Sequence, residues 1–216
     1  MRPTTRDRLI DTAGELFYER GFQAVGLDQV LARVGITKTA FYKHFESKDD
    51  LILAVIDQRD RADMAASVQY MREHGGDDPR AQLLAFFDLL AEWFSQPDFR
   101  GCLFMNAATE FPSPTDPIHR AAAAHASHLA AELLLRVQAL RARDPAVLTE
   151  QIMLLIAGAI AARHTAGTRD AAQTARRAVE LLLSAATPVE ESSDEVAAEA
   201  SPARPRLRVR GRRSSA

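Results

Sequence analysis

Residues 27–45 read LDQVLARVGITKTAFYKHF, from Leu27 to Phe45. Leu27, Val30, Leu31 and Val34 fall at i, i+3, i+4 and i+7, the spacing of one apolar helix face. Gly35 stops that helix, and Thr37 stands where an N-cap is needed to open a second one, which carries Phe41 and ends near Phe45. Two short helices across a tight glycine turn match the helix-turn-helix unit, whose second helix enters the major groove of DNA. With positions 27, 30, 31, 34, 36, 41 and 45 turned inward, the second helix presents Thr37, Lys38, Thr39, Tyr42, Lys43 and His44. Hydroxyls, cations and an aromatic ring suit phosphate contact and base-edge reading, and the helix N-terminus offers free N–H groups to a phosphate. A structural hairpin with a solvated polar face would show the same pattern.

Outward from this unit every segment reads as helix. Leu9, Ile10, Ala13, Leu16 and Phe17 recur at helical spacing ahead of Gly21. Ser47 followed by Asp50 resembles an acidic capping box and predicts a long helix from Lys48 to about Arg72, broken at His74-Gly75-Gly76. Three Asp-Pro pairs, Asp78-Pro79, Asp116-Pro117 and Asp144-Pro145, each place an N-cap before a proline at the first helical position. They open helices running to about Gln96, Arg143 and Ala166. A shorter helix fits Gly101 to Phe111 and a last one Arg169 to Ala186. No segment alternates with period two, so the expectation is an all-α chain of about nine helices.

Composition bounds the function classes. The 216 residues hold 27 Lys plus Arg against 29 Asp plus Glu, which gives no whole-chain basic signature. The only lysines are Lys38, Lys43 and Lys48, clustered on and beside the second helix of the motif. One cysteine, Cys102, excludes an intramolecular disulfide framework and a multi-cysteine zinc site. No signal-peptide pattern opens the chain, and the longest apolar run, Ile152 to Ala162, is too short to span a bilayer. The expectation is a cytoplasmic protein with no membrane partner. Residues 188–199 carry five acids and no base, residues 200–216 six arginines and no acid, so 188–216 reads as a disordered tail, acidic and then Arg-rich.

Leu16-Phe17, Gly21-Phe22, Gly35-Ile36-Thr37-Lys38, Phe41-Tyr42-Lys43-His44-Phe45 and Ser47-Lys48-Asp49-Asp50-Leu51 stand in one order and spacing over about fifty residues. This run resembles the tetracycline-repressor (TetR) family of bacterial regulators. The resemblance implies a helix-turn-helix domain over 1–47, a helical ligand-binding and dimerisation domain over 48–187, a homodimer, and a palindromic double-stranded DNA operator released by a small, largely apolar effector. Carried over by position, Lys38 and Thr39 would sit near base edges. Thr37, Tyr42, His44 and Lys48 would hold phosphates, and Lys43 either. Gly26 departs from the Thr or Ser usual at that cap, so the hydroxyl contact to phosphate is missing there.

Aromatic residues gather between 79 and 111. The segment from Gly101 to Pro112, with His119 and His125 beyond it, is similar to a recurring variant of the family's C-terminal domain. Phe86, Leu90, Trp93, Phe104 and Leu129 are candidates for an apolar effector cavity, though an aromatic stripe also serves as plain core. Asn106 and Glu110 share one helix face, and His125 points inward with Ala122 and Leu129. Three readings stay open for them: a structural hydrogen-bond cluster, polar recognition of the effector, or a divalent metal held by Glu110 and His125 with His119, His128 or Asn106 as further ligands. His128 and Glu132 read as a surface pair. No cofactor is required on any of these readings except the last. Cys102 reads as a small buried residue rather than a redox sensor.

Ile152, Leu155, Ile156 and Ala159, with Ala175, Val179 and Leu182, form the apolar stripes of the last two helices. The family pairs such helices across a two-fold axis, so these residues are the expected dimer interface. Two rival classes remain. A hydrolytic metal enzyme lacks a nucleophile–base pair or tight ligand motif, and an interaction module that has lost DNA binding sits poorly with Lys38, Tyr42, Lys43 and His44. The chain therefore reads as a transcriptional repressor rather than an enzyme.

Overall fold

The structure is a computed structural model describing residues 3–186, and among them every regular element is helical. In chain order these are α1 (Thr5–Arg20), α2 (Leu27–Val34), α3 (Lys38–Phe41), α4 (Lys48–Gly75), α5 (Pro79–Ser95), α6 (Leu103–Glu110), α7 (Pro117–Ala139), α8 (Pro145–Ala166) and α9 (Ala171–Ala186). The tail expected over 188–216 lies outside the described residues.

The helix starts are fixed by local chemistry. Asp78, Asp116 and Asp144 each accept a backbone N–H from the first turn they open, with proline next in line. Ser47 accepts from the Asp50 N–H, but the Asp50 carboxylate reaches back to Glu46 rather than to Ser47. The reciprocal capping box forms instead at Thr4 and Asp7. Its hydrogen bonds from the Thr4 backbone and side chain hold the Asp7 carboxyl below its ordinary range. Helix α7 stops at Ala139, short of the expected Arg143, and Arg141 just beyond adopts a left-handed conformation at φ 54°.

Helix α3 is also shorter than expected, a single turn that ends at Phe41 rather than near Phe45. Four residues cannot hold a helix by propensity. Phe41 and Phe45 hold it by burial, their rings stacked at 5.6 Å, each worth about 1.5–3 kcal/mol of transfer free energy.

Two apolar cores result. One joins Leu9, Phe17, Phe22, Phe41, Leu51 and Ile52. It is not closed within residues 1–47: the first turns of α4, Leu103, Phe104 and Ala107 of α6, and Ile118 and Ala122 of α7 complete it. The second core gathers α5, α8, α9 and the later turns of α4 and α7 around Leu83, Phe87, Phe94, Leu133, Ile152 and Val179. By length and composition α8 could cross a membrane, which the run Ile152–Ala162 alone did not suggest. Here its stripe of Leu148, Ile152, Ile156 and Ile160 is buried in the second core.

The turn between α2 and α3 depends on Gly35, held at φ 78° while its N–H bonds the Leu31 carbonyl at 2.9 Å. A Cβ there meets no neighbour, so the cost of adding one is backbone strain alone. Gly35→Ala should lower stability by about 1 kcal/mol and Gly35→Asn by less, because Asn tolerates the left-handed region. Urea unfolding monitored by circular dichroism measures both.

Candidate functional site

The candidate reading surface is built on α3 and the turn after it. Thr37 caps the helix, its Oγ1 accepting the Ala40 N–H at 3.2 Å. Thr37, Lys38, Thr39, Tyr42, Lys43 and His44 all lie on the exposed face, while Phe41 beneath them is fully buried. Tyr42 is 56% exposed, with its ring edge-on to Phe41 at 5.3 Å. Lys38 Nζ lies 3.1 Å from Asp28 Oδ1, an exposed pair that spans α2 and α3. Gly26 opens α2 without a side-chain cap.

Lys48 stands apart from this surface. It is half-buried, its Nζ donates to the Phe22 carbonyl at 2.6 Å and lies 5.9 Å from the centre of the Phe17 ring. Burial pushes its ammonium pKa down, against the opposing pull of Asp49 and Glu110. Its charge is committed to the turn between α1 and α2 rather than displayed beside Lys43.

The same turn receives Glu110, the last residue of α6. Its two carboxylate oxygens accept the N–H groups of Phe22 at 3.0 Å and Gln23 at 2.7 Å. Tyr18 of α1 adds a second tie, its hydroxyl accepting the Arg100 N–H at 2.9 Å. Gly21, at φ 90°, passes so close that a Cβ would sit 3.0 Å from Glu110 Oε1. Glu110 therefore does not pair with His125, and the pair expected to hold a metal does not converge. Asn106 is also elsewhere, donating to the Arg100 carbonyl at 3.1 Å, and His119 Nδ1 lies 2.8 Å from the Phe111 carbonyl. Among the described residues no group of three or more His, Cys, Asp or Glu is placed to hold a metal ion.

His125 has a different partner. Its Nδ1 lies 2.7 Å from Asp60 Oδ1, and Nδ1 of His128 lies 2.6 Å from Oδ2 of the same carboxylate. Asp60 thus bridges two turns of α7 from α4. The expected His128–Glu132 pair is absent, since Glu132 binds Arg136 at 3.1 Å. Spacing along one helix pointed to partners on that helix or the next. The true partner lies 65 residues away, on a helix whose acids all look like solvated surface.

A cavity of about 250 Å³ opens between α4, α5, α6, α7 and α8. Phe86, Leu90, Trp93, Phe104, His125 and Leu129 line it, and Asn106 and Glu110 do not. Sequence reasoning missed the α4 wall, which carries Arg59, Asp63, Met64 and Ser67, with Arg59 and Asp63 paired at 2.8 Å. It also missed Tyr18 and Cys102 as wall residues. Burial pushes the Cys102 thiol pKa up, so the sulfur is held as a thiol.

The stripes expected at a dimer interface are mostly spent within the subunit. Ile152, Ile156, Ala159, Ala175 and Val179 are buried in the second core, with Leu155 and Leu182 half-buried at its edge. Ile156 also lines the cavity. An apolar stripe shows that a face is buried, and the chain's own core claims this one. The face left outside carries Val147 and Leu154 on α8 and Leu181 on α9, the last two 73% and 74% exposed.

Comparison with known proteins agrees with both halves of this arrangement. The profile of bacterial regulatory proteins of the tetR family matches residues 9–55, and that of the tetracyclin repressor-like C-terminal domain matches residues 79–179. Among curated relatives, the transcriptional activator FasR of Mycolicibacterium smegmatis is 36% identical over 41% of this chain and 42% of its own. The repressor NemR of Escherichia coli K12 is 28% identical over 49% of this chain and 53% of its own, so each match spans about half the relative's length. Those relatives are transcriptional regulators, not enzymes. A TetR-family regulator from Streptomyces coelicolor superimposes with TM-score 0.75 at 33% identity, covering 85% of this chain and 96% of its own. A second regulator, from Streptomyces avermitilis, gives TM-score 0.77 at 27% identity over 85% of this chain and 98% of its own. With a helix-turn-helix reader and a helical C-terminal half both matched, the chain belongs to the TetR family of bacterial transcriptional regulators.

Proposed function

We propose that this regulator is a homodimeric repressor of a palindromic operator, released when a small, largely apolar effector fills the cavity between α4 and α8. One observation carries the reading: α6 supplies both a cavity wall, through Leu103 and Phe104, and the Glu110 carboxylate bound to the turn that leads into α2. A displaced α6 pulls on the reading unit directly. The second route is α4, which lines the cavity at Arg59 and Asp63 and anchors the N-terminal core at Leu51, Ile52, Val55 and Ile56. An effector shifts the equilibrium by binding one arrangement of these helices better than the other.

Thr37, Lys38, Thr39, Tyr42, Lys43 and His44 form the proposed operator contacts, with Lys48 acting from behind to hold the turn. The cavity set is Phe86, Leu90, Trp93, Phe104, His125 and Leu129. Val147, Leu154 and Leu181 mark the proposed dimer face: they are large apolar residues exposed on α8 and α9, two helices packed against each other, and a second copy of that face would cover them. Relatives include an activator as well as repressors, so the sign of control rests on the family's usual mode.

Three measurements test this. Fluorescence anisotropy with a labelled duplex from upstream of the protein's own gene should show weaker binding for Tyr42→Ala and Lys43→Ala. The Lys43 variant should also lower the salt slope by about one, as expected for one phosphate contact. No sequence preference in the wild type would overturn the regulator reading.

Leu154→Asp combined with Leu181→Asp should give a monomer by sedimentation velocity with subunit helicity retained, since both side chains are outside the subunit core. Glu110→Ala leaves the half-buried Phe22 N–H without its acceptor and should lower stability by about 1–2 kcal/mol in chemical denaturation. Glu110→Gln keeps one acceptor oxygen and should lose less. Both should weaken operator binding more than their loss of stability explains if α6 sets the position of the reading unit.

A further inference from the structure

Most of the cavity wall is apolar or aromatic, and one polar group in it is held unusually well. The His125 ring is stacked on Phe104 with centroids 3.7 Å apart and planes 9° from parallel. Its Nδ1 is fixed 2.7 Å from Asp60. Stack and hydrogen bond together leave the ring no freedom to turn, so its other nitrogen has a set direction. A carboxylate only accepts, so Nδ1 carries the hydrogen, and in the neutral imidazole Nε2 then carries the lone pair. The second Asp60 oxygen is taken by His128. The dyad therefore offers a ligand one preorganised acceptor, Nε2, rather than the carboxylate itself.

The charges around it favour a neutral partner. Asp60 stands behind His125 and Asp63 lines the wall, whereas Arg59, the one Lys or Arg among the described residues that lines this cavity, is already paired with Asp63. An anionic head group would face two carboxylates with one engaged guanidinium to offset them. Size narrows the choice further. A dry cavity of ~150 Å³ accommodates benzene, so about 250 Å³ suits a molecule of one or two rings. Phe86, Trp93 and Phe104 supply the faces and edges on which a flat ring packs.

We propose that the effector is a neutral aromatic hydroxyl compound of one or two rings, its hydroxyl donating to Nε2 of His125 while Asp60 holds the imidazole from the other side. This rests on the effector-cavity reading above and assigns the chemistry of the ligand. His125 is the specificity-determining residue, and Asp60 and His128 act through it as positioning residues.

Isothermal titration calorimetry of the full chain with 2-naphthol, its methyl ether 2-methoxynaphthalene and the anion 2-naphthoate tests it. The expected order has 2-naphthol about tenfold tighter than the ether, the worth of one buried hydrogen bond, with naphthoate weakest. His125→Phe keeps a ring against Phe104 and removes Nε2, and it should bring naphthol and ether to equal affinity. If that variant fails to fold, the wild-type order still decides. Equal binding of naphthol and ether overturns the proposal while leaving an apolar effector cavity in place. Tighter naphthoate overturns it in favour of an anion site at Arg59. Binding of none of the three removes the cavity reading on which it rests.

Discussion

Two backbone N–H groups, on Phe22 and Gln23, find their acceptor in a side chain 88 and 87 residues away. The Phe22 N–H is half-buried and needs a partner, and it finds one across the fold; the exposed Gln23 N–H shares the same carboxylate. Glu110 completes the turn between α1 and α2 from above, Lys48 binds the Phe22 carbonyl from the side, and Phe22 packs its ring on Phe17 and Phe111. The turn sets where α2 begins, and α2 with Gly35 sets where α3 points. Position of the reading surface is thus determined partly by α6, which is also a wall of the cavity. The N-terminal fold and the proposed route of regulation both run through the same pair of hydrogen bonds.

This arrangement also accounts for the way the two cores divide. The N-terminal core is too small to close over residues 1–47, so it borrows Leu103, Phe104 and Ala107 from α6 and Ile118 and Ala122 from α7. The helix-turn-helix unit is thereby packed directly against α6 and α7. Phe104 joins the parts: it belongs to the N-terminal core, lines the cavity and stacks on His125. On the proposed function, a ligand against Phe104 would bear on all three.

The helices were legible because their signals are local. Asp-Pro pairs, Gly35 and the 3.6-residue stripes act over one or two turns and mark the helix starts and the tight turn where they stand, while the ends of α3 and α7 fall short of the expected ones. The partners of Glu110 and His125 were not legible, because a carboxylate or imidazole satisfied across the fold leaves no trace in spacing. Asp60 reads as one more acid on an exposed helix until α7 is laid against it. The apolar stripes on α8 and α9 carried a different ambiguity. Ile152 and Val179 announce burial, but the sequence does not say whether a stripe faces its own core or a second copy. The lone Leu154 and Leu181, off those stripes, were the better sign of an outer face.

Near-neutral charge takes on a specific meaning at the reading surface. Residues 1–50 hold eight bases and eight acids, and the structure shows how the nearest cations are spent. Lys48 is committed to Phe22, Lys38 pairs with Asp28, and Arg6 lies over the Phe45 ring at 5.1 Å. Lys43 forms no ion pair among the described residues, and beside it stand the hydroxyls of Thr39 and Tyr42 and the His44 ring. Among the described residues, few cations near this surface are without a partner in the fold, so counterion release alone would contribute little to the proposed binding. On the proposed function, discrimination rests on hydroxyl, ring and backbone contacts that demand close fit, and the proposed shift of α6 or α4 would act by disturbing that fit.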